Sequence, residues 1–528
     1  MFNARSHQRH KMNSDKQNHR IWQYLLVVLF TIFLRILLIG GPPTTDEGIY
    51  AYNAFYIYLN PESNSLIPNK GILSLYAAAT SWVFNLDLNH LIILRLIDAL
   101  IASTVGVFLY ITLKNECQNK KLGLLITLAF IFVMNDPAFI QYGYKNSIAI
   151  ATIPLLCAII VGQNNKAFST KNSLLTGGLV ACAVLLREPF VVFALLGCFA
   201  SCARWGLRGS IYYILGGLFA GLFVVLLVCL LRQDNGLELI KAYSDTRFLY
   251  SDMSAGKDIR SMHSLVVYLK HSYGILLIIS LFFLAFVWSK HRSSAKRYVF
   301  WISLSLVPLI EPALKNGFPY HFAVTLLGLS GLMGLLVRDT VHLFNQSRFK
   351  KIAIYTITIV FIISTLPLTF AYANNYHRYF PNKAAYQLLY DWPEKTKQES
   401  NVLIIADYLK KHANSKDSLS VNGNLLGLIP LTEIPPPNYE LSNLNYVLLL
   451  NNQSKEFLYS KLLECPADWV VLTTLGGGKL NQIRATLQSI PQYKKIIYVP
   501  QKASNHYGYV DAEIYHWVAP KKTCKGAQ

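Results

Sequence analysis

Charged residues are scarce in this chain: they occupy 15% of 528 positions, where soluble proteins carry about 25%. Hydrophobic residues make up 53% of the chain, and the mean hydropathy is +0.33. Repeated apolar runs of roughly 20 residues accompany this shortage of charge. The composition excludes an ordinary soluble protein and predicts a multi-span α-helical membrane protein.

Signatures for nucleotides and metals are also missing. The GGGK run at 476–479 lacks the spacing of a Walker loop and is followed by Leu480, so it is interpreted as a turn before a helix. No Cys/His cluster has zinc spacing. No metal ligand is therefore assigned, although a divalent cation is left open as a cofactor.

Acidic residues are few, with 28 Asp and Glu against 49 Lys and Arg and a net charge of +21. In a membrane protein such an excess is typical of basic cytoplasmic loops and of attraction to anionic lipid. Membrane lipids are therefore expected partners, and nucleic acid is not.

The eight cysteines form no disulfide framework. Only Cys465 and Cys524 lie in the polar C-terminal part, where their pairing is left open. The apolar runs contain Cys157, Cys182, Cys198, Cys202 and Cys229, which behave there as small hydrophobes.

The charge pattern predicts the membrane topology. Residues 1–20 are polar and basic, so this tail should be cytoplasmic. The segment 71–84 is short and is interpreted as an interfacial helix, because a crossing there would place the basic loop 114–121 outside. About eleven spans follow from this choice: 21–39, 91–113, 122–135, 146–162, 173–186, 190–203, 210–231, 264–289, 298–311, 320–337 and 352–371.

The composition changes to that of a soluble domain after residue 372. Helical spacing at 402–413 and 480–490, with strand-like runs at 418–421, 469–473, 495–499 and 514–518, predicts a small α/β domain. The expected organisation is a tail (1–20), a transmembrane domain (21–372) with a periplasmic first loop (40–90), and a periplasmic C-terminal α/β domain (373–528).

Asp46 and Glu47 follow the first span, at the predicted outer face. Either Thr45 or Asp46 could cap a helix there, with Glu47 facing the positive end of its dipole. A carboxylate fixed at the membrane surface can also serve as a general base beside a lipid-borne substrate. Both acids are candidate catalytic residues.

A set of charged and polar residues lies at the predicted outer ends of spans, where the cations do not serve the positive-inside rule. They could reach toward lipid headgroups, or they could converge on a phosphate and neutralise it during transfer. The candidate substrate-binding residues are Lys70, Lys145, Arg187, Glu188, Lys315, Tyr320 and His321. Arg95 and Asp98, three residues apart, could pair on one helix face in a structural role.

Four segments resemble motifs of the GT-C membrane glycosyltransferases, in the branch of the lipid A aminoarabinose transferases and protein O-mannosyltransferases. They are 45–51 (TDEGIYA), 70–76 (KGILSLY), 94–100 (LRLIDAL) and 318–322 (FPYHF). The second lacks the prolines of the family motif, and the fourth exchanges its Tyr and His. The family's Asp at the start of the fourth span is Lys145 here, so that role does not carry over.

The resemblance implies inverting transfer of one sugar from a polyprenyl-phosphate donor to a lipid, glycan or protein acceptor at the outer face of the inner membrane. It implies Asp46 as the base, with Lys70, Arg187 and Lys145 holding the donor phosphate. A transporter would instead place charges at mid-membrane and relate two halves by a repeat, and neither is evident. A flippase-like polysaccharide-assembly protein without transferase activity is the remaining alternative.

Overall fold

The architecture is taken from a computed structural model of the chain. It describes residues 21–60, 73–135, 146–164, 167–232, 292–310, 323–343, 369–370, 373–374, 376, 385–422, 425–444, 455–473, 477–500 and 511–520. The predicted spans at 264–289 and most of 352–371 lie outside these residues. The number of crossings therefore stays a prediction.

The first part of the chain is a bundle of helices with a continuous apolar core. Its helices are α1 (Ile21–Leu38), α2 (Thr45–Leu59), α3 (Leu73–Thr80), α4 (His90–Cys117), α5 (Lys120–Met134), α6 (Asn146–Asn164), α7 (Thr170–Leu186), α8 (Val191–Arg232), α9 (Arg292–Leu306) and α10 (Thr325–Leu343). The predicted spans in these regions are confirmed as helices, with ends that move by a few residues. The largest shifts are six positions: α9 starts six before the predicted 298, and α10 ends six after the predicted 337.

Within the described part of the chain, three helical stretches are long and apolar enough to cross a membrane: Ile21–Leu38, His90–Cys117 and Glu188–Leu227. Two shorter apolar helices, Ile148–Gln163 and Thr170–Leu186, accompany them. These helices identify the chain as a membrane protein.

A break at Gly206 divides α8 into two helices. Its 42 residues would extend roughly 63 Å as one straight helix, about twice the thickness of a bilayer core. Gly206 has a φ of +72°, which a glycine adopts without strain. The second half folds back on the first, since Tyr213 Oη donates to the Ala194 carbonyl at 3.1 Å. This is the hairpin that the sequence predicts for spans 190–203 and 210–231.

The length of α3 fits the expectation that 71–84 does not cross the membrane, while its place at the interface stays a prediction. Helix α3 has 8 residues, or roughly 12 Å, and continues as the 3₁₀ turn Ser81–Asn85. Together they are too short to cross a hydrocarbon core of about 30 Å. Ala77, Val83 and Phe84 are buried against α2 and the C-terminal part of the chain, so α3 lies at one end of the bundle.

The described C-terminal residues contain a four-stranded mixed sheet in the order β1-β2-β4-β3. β1 pairs in parallel with β2, while β4 is antiparallel to both β2 and β3. The predicted strands and the two predicted helices are confirmed; the domain boundary at 372/373 stays a prediction. The elements are α11 (Glu394–Glu399), α12 (Asn401–His412), β1 (Leu419–Val421), α13 (Leu428–Thr432), α14 (Tyr439–Ser442), α15 (Lys455–Glu464), β2 (Trp469–Thr473), α16 (Gly477–Ser489), β3 (Tyr493–Val499) and β4 (Ala512–Trp517).

This α/β unit packs directly on α2 and shares a hydrophobic core with it. Phe55 of α2 and Leu91 of α4 belong to the same buried cluster as Val402 and Leu428. Gly48 lies against Gly427, because a Cβ added at Gly48 would come within 2.6 Å of the Gly427 Cα. The α/β unit therefore lies at the end of the bundle that carries Asp46.

Cys465 of the α/β unit is disulfide-bonded, to a partner outside the described residues. The free cysteines among the described residues are Cys117, Cys157, Cys182, Cys198 and Cys202.

Candidate active site at the start of α2

The candidate site begins where α1 ends and α2 starts. Thr44 is the N-cap of α2, one residue before Thr45 and two before Asp46, which corrects the expectation that one of those two caps the helix. Its backbone N–H donates to Oε2 of Glu47 at 3.2 Å, as the acid of a capping box does. Asp46 and Glu47 both lie in the first turn of α2, near the positive end of the helix dipole.

Glu47 is buried and held by Arg95 of α4. Arg95 Nε donates to Oε1 at 2.6 Å, and Nη2 donates to Oε2 at 2.7 Å. Both side chains are 1% exposed. A fork-to-fork pair of this kind fixes direction as well as distance, so Glu47 orients the first turn of α2.

Arg95 also binds the turn that joins α1 to α2. Its Nη1 donates to the carbonyl oxygens of Ile39 and Gly41, and its Nη2 donates to that of Pro42. Thr396 Oγ1 donates to the Gly40 carbonyl at 2.7 Å. These donors satisfy buried carbonyls that follow the end of α1. The backbone leading to Asp46 is therefore fixed on both sides.

Asp98 does not pair with Arg95, contrary to the expectation from their spacing. It binds Arg35 of α1 instead, with Nη1 to Oδ2 at 2.8 Å. Thus α4 uses two positions on one face to hold two different segments, the α2 turn and the C-terminal part of α1. Sequence reasoning missed Arg35, although a lone arginine inside an apolar span is itself a functional signal.

Asp46 lies beside this network and is partly exposed, whereas Glu47 is buried. Two ion pairs, Glu47–Arg95 and Arg35–Asp98, compensate the charges of this network. Asp46 belongs to neither pair, and its carboxylate lies on a turn that those pairs hold in place. A fixed, accessible carboxylate is the geometry that a general base requires.

The α/β unit closes over this turn. The Trp392 ring lies 5.0 Å from the Arg95 guanidinium, a cation–π distance. The Asn89 N–H donates to the Leu389 carbonyl at 2.6 Å, which ties the start of α4 to the segment before α11. On α2, burial raises the pKa of Tyr52 above its usual range, so its hydroxyl stays neutral.

The other candidate residues are located only in part. Arg187 is the C-cap of α7, and Glu188 begins the 3₁₀ turn Glu188–Phe190 that leads into α8. The packing described for this turn is with those two helices. Outside the described residues lie Lys70, Lys145, Lys315, Tyr320 and His321, so their convergence on a phosphate stays a prediction.

A groove of about 550 Å³ lies beside the site, between the start of α4 and the α/β unit. A smaller cavity of about 100 Å³ inside the bundle is lined by Thr31, Arg35, Asn135 and Thr152. Among the described residues, no group of three or more His, Cys, Asp or Glu side chains could hold a metal ion.

The helical bundle, the acid-bearing helix after the first span and the α/β unit docked on it together form a fold that is also found in solved structures. The chain is similar to the crystal structure of ArnT from Cupriavidus metallidurans bound to undecaprenyl phosphate, with a TM-score of 0.55 and 11% identity. The match covers 94% of this chain and 98% of that one. The apo structure of the same protein gives a TM-score of 0.54 and 10% identity, with the same coverage. No protein-family model matches the sequence, and no curated protein matches it by sequence comparison.

Proposed function

We propose that this protein is a membrane glycosyltransferase that moves a single sugar from a polyprenyl-phosphate donor to a lipid, glycan or protein acceptor. The observation that carries the proposal is the partly exposed Asp46, on a turn that Glu47 and Arg95 hold in place, within a fold similar to that of ArnT. The undecaprenyl phosphate bound by the structural neighbour supports the class of donor.

In the proposed reaction Asp46 accepts the proton of an acceptor hydroxyl as the oxygen attacks the anomeric carbon. The bond from that carbon to the phosphate oxygen breaks, and polyprenyl phosphate departs with the electron pair. Attack from the opposite face inverts the anomeric configuration. One carboxylate suffices, because phosphate leaves without a proton from a second acid, while cations stabilise its charge.

Glu47 takes a different role in this proposal from that of Asp46. Its two oxygens are already bound by Arg95 and the Thr44 N–H, and its side chain is 1% exposed. It is therefore a positioning residue that aims the turn carrying Asp46. Lys70, Lys145, Arg187 and Lys315 remain the proposed phosphate ligands, and Glu188, Tyr320 and His321 complete the proposed substrate-binding set.

We place the protein in the inner membrane with its N-terminus in the cytoplasm. The α/β unit and the start of α2 lie at the same end of the bundle, so this orientation puts both in the periplasm. The disulfide at Cys465 supports this side, because the periplasm is oxidising. A divalent cation stays open as a cofactor.

The test is sugar transfer by the purified full chain in nanodiscs, with a set of polyprenyl-phosphate sugars as donors. Envelope glycolipid from a deletion strain is the acceptor. Asp46→Asn should lower the rate by about 10²- to 10⁴-fold while inserting normally. Loss of less than about tenfold would overturn the role of Asp46.

Asp87→Asn is the matched control. Asp87 is an exposed acid just before α4, at the same end of the bundle, and its replacement should leave the rate unchanged. The same assay separates the transferase from a flippase, which would move the donor across the membrane without cleaving the sugar–phosphate bond. Intact donor in every reaction would therefore contradict the proposal.

A further inference from the structure

The groove beside the site has the size and lining of a small-ligand pocket. Its volume of about 550 Å³ falls within the range of about 300–1,000 Å³ usual for such sites. Its walls come from the start of α4, the segment before α11, and the helices α12 and α13. The proposed chemistry at Asp46 does not use it.

Both aromatic rings and planar polar groups line this groove. Tyr390, Trp392 and Tyr408 line it together with Asn89 and Asp407. Tyr390 is 66% exposed, so most of this residue is accessible to a ligand in the groove. Sugar rings present apolar C–H faces and hydroxyl edges, so they match aromatic faces flanked by amide and carboxylate groups.

The charges in the groove argue against an anionic ligand. Lys397 is already bound by Asp391 and by Glu394, the latter at 3.2 Å. His90 Nδ1 lies 3.5 Å from the Glu433 carboxylate. The lining also includes Lys410, Lys411 and Asp407. Three lysines thus stand against three acids along the walls (Asp391, Asp407 and Glu433), and a neutral polyhydroxyl ligand fits this balance better than a phosphate.

The groove also adjoins the site. Trp392 lines the groove and at the same time stacks on Arg95, which holds Glu47 beside Asp46. Two side chains in contact, Trp392 and Arg95, therefore connect the groove to the turn that carries the proposed base.

We infer that this groove binds the saccharide part of the acceptor, so that the acceptor is a glycan or glycolipid. The inference rests on the proposed transferase function, because it assigns the acceptor side of that reaction. It places the apolar face of a sugar on Tyr390 and its hydroxyls on Asn89 and Asp407. Trp392 forms the end of the groove nearest Asp46.

The test measures binding of soluble neutral oligosaccharides of glucose, mannose, galactose, rhamnose and arabinose to the full chain in detergent, by saturation-transfer NMR and calorimetry. At least one should bind saturably. Tyr390→Ala should weaken that binding about threefold to tenfold, the usual worth of an aromatic contact. Because the ring is mostly exposed, its removal leaves the core intact.

Tyr386→Ala is the matched control, since Tyr386 lies in the same segment and is 62% exposed but does not line the groove. It should bind like the wild type. Equal affinities of the two variants, or no binding by any of the oligosaccharides, would overturn the inference. Displacement of the bound sugar by inorganic phosphate would also overturn it and identify an anion site.

Two comparisons separate failure of this inference from failure of the proposed function. Asp46→Asn should keep oligosaccharide binding while it loses transfer. Binding without transfer by the wild type would refute the transferase and leave the groove assignment standing. Transfer that is intact in the wild type and unchanged in Tyr390→Ala would refute the groove assignment alone.

Discussion

Replacing Arg95 should destabilise the turn that carries Asp46, and the loss of folding free energy can be estimated from the hydrogen bonds of Arg95. Arg95→Ala removes both hydrogen bonds to Glu47 and leaves that carboxylate buried without its cation. Breaking a buried pair in this way costs about 3–5 kcal/mol. The carbonyls of Ile39, Gly41 and Pro42 also lose their donor, at about 1 kcal/mol or more each.

The assay is thermal unfolding of the full chain in detergent, followed in parallel with sugar transfer. A loss of this size should lower the apparent midpoint by about 5 °C or more, and transfer should fall with it because Asp46 loses its fixed turn. Leu100→Ala is the control on the same helix, since Leu100 is 56% exposed on the outside of the bundle. It should change neither quantity appreciably.

The single variants Glu47→Gln and Arg95→Met, compared with the double variant that carries both changes, show whether the pair acts as a unit. The double variant should be less destabilised than the sum of the two single variants, with a coupling of about 0.5–3 kcal/mol. A midpoint for Arg95→Ala within about 1 °C of the wild type would refute the reasoning. An inactive Glu47→Gln of unchanged stability would instead identify Glu47 as a catalytic group.

Two further predictions concern the α/β unit. Gly48→Ala should loosen the contact of this unit with α2, because the new Cβ would meet the Gly427 backbone at 2.6 Å. We expect faster proteolysis at residues 385–400 than in the control Gly162→Ala, where nothing lies within 4 Å of the added Cβ. Equal rates would contradict the prediction. Cys465 is disulfide-bonded, so maleimide in denaturant should modify it only after reduction, whereas the free Cys202 should react directly. Mass spectrometry of the peptides measures the modification, and labelling of Cys465 without reductant would disprove the bond.

Local patterns were enough to predict the helices and strands. The apolar runs at 21–39 and 91–113 became α1 and α4, and the strand-like run at 469–473 became β2. Each of these predictions depends on neighbouring residues alone, through hydrophobic length or alternation. The position of Asp46 after the first span was available from the sequence for the same reason.

The partners of the charged side chains could not be read in this way. Arg95 and Asp98 have a spacing that suits a pair within one helix, yet Arg95 binds Glu47, 48 residues away, and Asp98 binds Arg35, 63 residues away. Helical spacing states which side chains share a face, but not which helix packs against that face. The choice of partner therefore depends on the packing of α1, α2 and α4.

The sequence by itself determined that this chain is a membrane protein, where its helices and strands lie, and that two acids follow the first span. Only the tertiary structure decided that the two acids differ, with Glu47 buried against Arg95 and Asp46 left accessible. It also decided that the α/β unit docks on α2, through the facing backbones of Gly48 and Gly427. The physical reason is that burial and pairing arise between segments far apart in the chain, whose approach no local pattern records.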